Sequence, residues 1–450
     1  MIRPNELFKK EIIEYSVCGE NYVNLDNGAT TPPLKEVQDR LDSFLNSYGS
    51  VHRGSGAKSI ASTETYENAR RTILSCVNAP KDSYVVYSQN TTGAVNLLAS
   101  LFSRISGKIA VSDIEHSSSS LPFIVQEGYA KYKPLKLARC REFSYEINEK
   151  IQKKGHSQVV RYPVDNLGIV DFSALKKLLK KYKIKALMLT ASANLTGVQT
   201  DVMQVARLIR QVSPQTFLIV DVCQYIPHHL VDMQSLGADF IVASGHKFYA
   251  PYGGGFIVGP KQFFDMFMPY QIGGGNLPYI DLNDHFYRYR NNLAFDPGTP
   301  NAVGVVSMAV ALNKLREIGY ENIESYEKDL VEYAYDRLKD CQNIELYVDR
   351  EHLGSVITFN IKNKNPQVVA QILNCKFAIG VRAGAFCVYR YVNRLLGVTD
   401  DSKIRKAVEM YDTSLIEGVI RASVSLQNTK DDMKRFADAV LAIAEDRLGE

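Results

Sequence analysis

The sequence has 450 residues, of which 45% are hydrophobic and 23% are charged, and this composition excludes a disordered, collagen-like or coiled-coil chain. The 53 Lys and Arg residues barely outnumber the 49 Asp and Glu residues, and a net charge of +4 does not indicate nucleic-acid binding. Because the chain has no transmembrane-length apolar run and begins with a charged segment, we expect neither a membrane helix nor a secretory signal. The seven Cys residues include no CxxC pair, so we expect reduced thiols in a cytoplasmic protein and no metal site.

Short apolar segments alternate with helical patterns from about residue 65 to residue 260. The predicted strands are Tyr84–Tyr87, Lys108–Ser112, Ala186–Thr190, Phe217–Asp221 and Phe240–Ala243. The predicted helices between them are Ser62–Val77, Gly93–Phe102, Phe172–Lys183 and Asp201–Gln211. This alternation predicts an α/β fold, in which a mostly parallel sheet carries helices on both faces.

The pattern changes after residue 260. Residues 261–300 are rich in Gly, Tyr and Asn and are predicted to form a long ordered loop. The elements predicted beyond it are helices ending near Ile318 and Leu338, strands at Ser355–Ile361, Phe377–Arg382 and Val419–Leu426, and a helix from Thr429. We therefore expect a large domain over residues 21–300, a smaller α+β domain over residues 301–450, and an N-terminal segment, residues 1–20, that packs on the small domain.

Polar residues follow five predicted strands, at the sheet edge where α/β proteins gather functional groups. In chain order they are Thr91 and Thr92, His116, Asn194, Asp221, and Ser244, His246 and Lys247. Singly, each has an ordinary explanation, such as a helix cap or a loop histidine. Together they supply a phosphate site at a helix N-terminus, a ring-stacking imidazole, a carboxylate for a pyridinium nitrogen and a nucleophilic amine. These are the groups that hold pyridoxal 5'-phosphate.

Six segments carry a family resemblance. They are LDNGATT at 25–31, VHRG at 51–54, TTGAVNL at 91–97, EHSSSSLP at 115–122, SGHKFYAP at 244–251 and PGTPN at 297–301. On these motifs the chain resembles the fold-type I, class V aminotransferase-like enzymes, and most of all the cysteine desulfurase and selenocysteine lyase branch. The resemblance implies a large domain with a mostly parallel sheet of the seven-stranded type, a small C-terminal α+β domain and a homodimer with shared active sites.

The resemblance also implies residue roles. Lys247 would form the Schiff base with the cofactor and move the substrate α-proton, and His116 would stack on the ring. Asp221 would pair with the ring nitrogen. The other implied cofactor contacts are Asn194 and Gln224 near the ring hydroxyl, Thr91, Thr92, Ser244 and His246 at the phosphate, and Thr299 at the phosphate of the other subunit. The implied substrate-binding residues are Arg421, which would clamp the carboxylate, and His52, Arg53, Gly28 and Arg382.

Cys387 decides between the chemistries that this family offers. The segment VRAGAFC at 381–387 resembles the desulfurase segment whose thiolate takes sulfur from L-cysteine, leaving alanine and an enzyme persulfide. Arg382 would favour the thiolate, and a sulfur-acceptor protein is a further implied partner. If Cys387 is instead a bystander, the alternatives are another class V enzyme, namely a C–S lyase, selenocysteine lyase, epimerase or aminotransferase. A binding protein without activity is the third class.

The chain departs from the family pattern in several places. Ser117 replaces the second His of the family motif, Asp296 replaces a Glu, and Val222–Cys223 replaces Gly-Ala. None of these changes removes a cofactor group. Residues 388–420 form a long charged insertion after Cys387, which we expect to be solvated, with a lid or a docking surface as the alternative.

Overall fold

The computed structural model describes residues 2–17, 19–129 and 158–447. The N-terminal segment forms two short helices, Pro4–Leu7 and Lys10–Ile13, and a hairpin of β1 (Ser16–Val17) and β2 (Glu20–Asn21). We expected this segment on the small domain. Phe8 instead lies buried against the large domain, with its ring centroid 5.9 Å from that of Tyr249. The chain then meets the small domain, where Arg435 donates to the Asn21 carbonyl over 2.9 Å and β3 (Val23–Asn24) pairs in parallel with Ile379–Gly380.

Seven strands form the central sheet of the large domain. In chain order they are β4 (Ser83–Ser88), β5 (Lys108–Val111), β6 (Val159–Arg161), β7 (Ile184–Thr190), β8 (Phe217–Asp221), β9 (Phe240–Ser244) and β10 (Gly255–Pro260). Their spatial order is β4–β10–β9–β8–β7–β5–β6, and all pairs are parallel except those of β10. The mostly parallel sheet is confirmed, with the five predicted strands in place and β6 and β10 added.

Both faces of the sheet are buried. Successive residues of its apolar strands pack in two different hydrophobic cores. In β7, Leu187 and Leu189 pack in one core, and Ala186 and Met188 pack in the other. The helices of this domain are Lys35–Asn46, Ala57–Cys76, Thr91–Phe102, Ser117–Tyr129, Phe172–Lys181, Val202–Val212, Met233–Leu236 and Lys261–Asp265. Burial on both sides explains why these strands are continuous apolar runs rather than alternating ones.

The first core continues beyond residue 300, where we expected the large domain to end. Residues 261–300 contain the hairpin of β11 (Tyr279–Ile280) and β12 (Phe286–Tyr287) and a 3-10 turn at Asn292–Phe295. Helix Ala302–Ile318 then packs against helices Lys35–Asn46 and Ala57–Cys76, and its apolar residues belong to the first core. This helix is therefore part of the large domain in its packing.

The small domain has its own core around a four-stranded antiparallel sheet. Its strands are β13 (Ile344–Leu346), β14 (Val356–Ile361), β16 (Arg382–Gly384) and β17 (Val419–Ser423), in the order β13–β14–β17–β16, whereas β15 (Ile379–Gly380) pairs with β3. The helices in this part of the chain are Tyr320–Leu338, Pro366–Phe377, Tyr389–Leu395, Ser402–Glu409 and Lys430–Ala444. The last helix is capped by Thr429, which forms a capping box with Asp432.

The insertion after Cys387 is only partly solvated. Tyr391 and Val392 of helix Tyr389–Leu395 are buried in the first core, and the Tyr391 hydroxyl donates to the Asn166 carbonyl over 2.7 Å. Helix Ser402–Glu409 has no buried residue, as expected for a solvated insertion. In the described part of the chain, none of the helices is both long and apolar enough to cross a membrane.

Candidate active site

The carboxyl ends of β4, β5, β7, β8 and β9 surround a cavity of about 220 Å³. Its lining includes every residue predicted to hold the cofactor except Thr299. These residues are Thr91, Thr92, His116, Asn194, Asp221, Gln224, Ser244, His246 and Lys247, and they are joined by Asn90, Ser118, Thr190 and Cys223. Side chains from five separate strand ends therefore meet in one place, as the parallel sheet requires.

One end of the cavity is suited to an anion. Helix Thr91–Phe102 begins there, and Asn90 caps it by accepting from the Gly93 N–H over 3.0 Å. The Ser244 hydroxyl is buried and has no hydrogen-bond partner in the described structure. A buried hydroxyl without a partner is unfavourable, and a phosphate at a helix N-terminus would satisfy it. The residues present therefore fit the phosphate group of the predicted cofactor.

The Lys247 amine is bound by two backbone carbonyls at the cavity. The Nζ donates to the carbonyls of Gly28 (2.6 Å) and Ala29 (3.0 Å). Burial, together with the nearby charge of Arg421, lowers the pKa of Lys247 to about 8. Burial and the neighbouring Lys247 charge also lower the pKa of His246 to about 4. Near neutral pH, Lys247 therefore has a far larger fraction of nucleophilic amine than an exposed lysine.

Asp221 and His116 have fixed positions in the cavity wall. The Asp221 carboxylate is buried, and it accepts from the Ser119 hydroxyl (2.6 Å) and from the Cys223 N–H (2.9 Å). The His116 Nδ1 accepts from the Ser118 N–H over 3.1 Å, which places the proton of the neutral ring on Nε2. Burial lowers the pKa of His116, so the ring is neutral. A buried carboxylate and a neutral imidazole fit a cationic aromatic ring.

Arg421, on β17 of the small domain, is the buried cation beside this cavity. Its Nη1 donates to the Asn194 carbonyl over 2.6 Å, and its Nη2 lies 3.6 Å from Asp26. Burial lowers the pKa of Arg421 to about 10, so it remains charged at neutral pH. Gly28 packs so closely that an added Cβ would lie 3.0 Å from the guanidinium carbon. The Arg421 Nε has no partner in the described structure, which leaves a donor for a carboxylate.

Cys387 is exposed and is not part of the cavity lining, but its segment is bound to the cavity rim. Its carbonyl accepts from the N–H (2.8 Å) and the hydroxyl (2.7 Å) of Ser117, the residue after His116. The Phe386 carbonyl accepts from the Asn194 amide over 2.8 Å. The backbone of the segment that carries Cys387 is thus bound directly to two residues beside the predicted cofactor site, Ser117 and Asn194.

A family model described as aminotransferase class V matches residues 23–138 and 145–436, which is most of the chain. The chain belongs to the class V aminotransferases.

Its relatives within the class V aminotransferases carry a common name. A probable cysteine desulfurase of Halalkalibacterium halodurans is 27% identical, covering 95% of this chain and 94% of the relative. A cysteine desulfurase of Serratia proteamaculans is 25% identical, covering 94% of each chain. The solved cysteine desulfurase of Thermococcus onnurineus has a TM-score of 0.79 at 24% identity and covers 94% of this chain and 95% of its own. That similarity establishes the fold.

Besides Gly28, Arg421 and Cys387, four further predicted residues lie outside the cavity lining. His52 is paired with Glu67 (2.9 Å), and Arg53 donates to the Gly274 and Gly298 carbonyls. Arg382 forms a forked ion pair with Asp26, with distances of 3.0 to 3.1 Å. Arg382 is therefore engaged with a carboxylate, not free to attract a thiolate. Thr299 is exposed and lines a different cavity, next to Gly93.

Several residues of the site were not predicted from the sequence. Ser119 holds the Asp221 carboxylate, and Cys223 lies in the cavity beside Thr91, with 2.7 Å between the thiol and the hydroxyl. Glu115 is buried behind His116, where it accepts from the Ser112 hydroxyl over 2.9 Å. Burial raises the pKa of Glu115 to about 8. The sequence signal for these residues was their position, since Glu115 and Ser119 lie close to His116 in the chain and Cys223 lies close to Asp221.

Proposed function

We propose that this protein is a pyridoxal-phosphate-dependent cysteine desulfurase, which converts L-cysteine to L-alanine and leaves the sulfur on Cys387 as a persulfide. The observation that carries the proposal is the Lys247 amine of lowered pKa in a cavity that also contains the buried Asp221 carboxylate and the unpartnered Ser244 hydroxyl. The names of the class V relatives support the choice of cysteine as substrate.

Different lining residues would contact different parts of the cofactor. Ser244, the hydroxyls of Thr91 and Thr92, and His246 would bind the phosphate at the helix N-terminus. Asp221 would pair with the ring nitrogen. His116 would cover the ring, Asn194 and Gln224 would lie near its hydroxyl, and Lys247 would hold it covalently. When bound, the cofactor supplies an electron sink for the substrate carbon atoms.

The remaining residues act on the substrate. Arg421 binds the carboxylate through its free donor, and Lys247 takes the α-proton. The Cys387 thiolate attacks the substrate sulfur, so that a sulfur–sulfur bond forms as the substrate carbon–sulfur bond breaks. The products are alanine and the Cys387 persulfide, and a reductant or a sulfur-acceptor protein then removes the sulfur. The electron pair of the broken bond stays with the β-carbon, which takes up the proton released when the Cys387 thiol ionises, and Lys247 returns the α-proton to the α-carbon.

The proposal includes a homodimer. Thr299 is exposed and does not line the cavity of its own subunit. Its implied contact with a phosphate would therefore be made in the cavity of the partner subunit. Thr299 lines a second cavity together with Gly93, which lies in the first turn of the helix that begins at the cofactor cavity, and this supports the proposal.

The test measures alanine and sulfide released from L-cysteine in the presence of a reductant. Wild type is compared with Cys387→Ala, with Lys247→Ala, and with the control Cys375→Ala, which removes another exposed thiol. Wild type and the control should form both products, and neither of the other variants should. Alanine from Cys387→Ala at the wild-type rate would favour another class V activity, in which this thiol is a bystander. Alanine from Lys247→Ala would refute the role of the amine.

A further inference from the structure

Ser117 makes an unusual pair of contacts to the segment that carries the thiol. Both its N–H and its hydroxyl donate to the carbonyl of Cys387, over 2.8 and 2.7 Å. Ser117 is also the first residue of helix Ser117–Tyr129, so its N–H has no acceptor within the helix. The Cys387 carbonyl satisfies this donor. The helix that follows His116 and the thiol segment are thus joined by two hydrogen bonds on one atom.

The thiol segment has a backbone that needs such support. Phe386 and Cys387 are consecutive residues with φ angles of 52° and 58°, in the left-handed region that L side chains rarely adopt. Such conformations persist where the surroundings hold them, and they concentrate at functional sites. Here the Val388 N–H closes a turn on the Ala385 carbonyl over 2.9 Å, and Asn194 binds the Phe386 carbonyl. The hydrogen bonds from Ser117 complete this support on the side of the cofactor cavity.

We propose that Ser117 is a positioning residue for the Cys387 thiol, which it fixes relative to His116 by holding the Cys387 carbonyl. Only its consequence for turnover rests on the proposed desulfurase function. At position 117 the chain has Ser where the family motif has a second His. The proposal gives this difference a role, because the short hydroxyl side chain of Ser117 binds the segment that carries the thiol. Because His116 and Ser117 are adjacent, the segment that covers the cofactor cavity and the segment that carries the thiol are fixed to each other.

Amide hydrogen exchange tests the contact without any need for turnover. In Ser117→Ala, the amides of Ser117 and Val388 should exchange about two- to tenfold faster than in wild type, which corresponds to the loss of one hydrogen bond. Ser117→Thr keeps a hydroxyl and should retain slow exchange. The control Ser120→Ala removes a hydroxyl of the same helix, one that donates to the His116 carbonyl. It should leave the Val388 amide unchanged.

Two results of the exchange experiment would overturn the proposal. One is an unchanged Val388 amide in Ser117→Ala. The other is equally fast exchange in Ser120→Ala, because that would indicate general loosening of the helix.

Turnover of the cofactor-loaded variants supplies the second readout. Ser117→Ala should lower kcat for alanine formation about two- to tenfold and leave KM for L-cysteine and the cofactor absorbance unchanged, since Arg421 and Lys247 are retained. Unchanged kcat would refute the positioning role. If Cys387→Ala keeps full alanine formation, the proposed function fails, and the exchange result still decides whether Ser117 holds this segment.

Discussion

The guanidinium carbon of Arg421 lies 4.7 Å from the centroid of the Phe386 ring, so the residue before Cys387 covers the predicted carboxylate clamp. The contact places the arginine proposed to bind the substrate carboxylate next to the segment that carries the proposed thiol, Cys387. A cation under an aromatic face is stabilised, and here the arginine is also almost completely buried. The substrate carboxylate and the thiol segment are therefore expected to respond to each other.

Arg421→Lys should raise KM for L-cysteine about tenfold or more. Lysine keeps the positive charge but lacks the Nε donor that has no partner in the described structure and is proposed to bind the carboxylate. It also loses the guanidinium face that Phe386 covers. Steady-state kinetics with the cofactor-loaded protein check this, with Lys430→Arg as a control at a basic residue in the last helix. An unchanged KM in Arg421→Lys would show that another residue binds the carboxylate.

Ser244→Ala should have opposite effects on the free protein and on cofactor binding. Without cofactor, removal of a buried hydroxyl that has no partner should raise the free energy of unfolding by about 1 kcal/mol. Cofactor affinity should fall about tenfold, because the phosphate loses a donor. The matched control is Ser213→Ala, an equally buried serine whose hydroxyl bonds to Thr216, and it should only destabilise. Denaturant unfolding and cofactor titration distinguish the two cases. Unchanged affinity in Ser244→Ala would contradict the phosphate assignment.

The rate at which pyridoxal phosphate combines with the cofactor-free protein should rise with pH through about 8. The pKa of Lys247 is lowered to about 8 by burial and by the Arg421 charge, and only the neutral amine attacks a carbonyl. The rate should therefore be small below this pH and level off above it. Stopped-flow absorbance measures it, and Lys247→Ala should give no covalent signal at any pH. A midpoint near 10.5, the ordinary value for lysine, would contradict the buried environment.

Glu115→Gln should stabilise the protein increasingly as pH rises from about 4.5 towards about 8. Burial raises the pKa of Glu115 from 4.5 to about 8, so in this range the unfolded chain releases a proton that the folded protein keeps. The wild type loses about 1.4 kcal/mol per pH unit between the two values, and the variant does not. Unfolding at pH about 4 should show little difference. An equal difference at every pH would mean that Glu115 does not titrate in this way.

The strands that could be predicted best are those buried on both faces. The run Phe217–Asp221 has the predicted bounds because a continuous apolar segment ending in a carboxylate specifies both its ends. The strand β10 was missed because it begins inside a Gly-rich turn, and β6 was missed because it has only three half-buried residues at the sheet edge. β6 lacks the apolar pattern of a central strand, whereas β10 has a short one in Phe256, Ile257 and Val258, which are buried between β4 and β9.

The site residues at strand ends were predictable, whereas the links between distant segments were not. Lys247, Asp221 and His116 each follow a recognisable strand, and the parallel sheet brings them together. The contact of Ser117 with Cys387 joins residues separated by 270 positions, and no local pattern reports it. The same holds for Arg382, whose pairing with Asp26 depends on how the small domain folds back on the start of the chain.

The most direct test of the proposed function is mass spectrometry of the peptide containing Cys387 after brief exposure of the cofactor-loaded protein to L-cysteine. We predict that this peptide gains one sulfur atom, that the gain disappears on reduction, and that it appears together with an equal amount of alanine. The peptide containing Cys375 should gain none. Alanine formed with no added sulfur on Cys387 would contradict the persulfide chemistry proposed for this site.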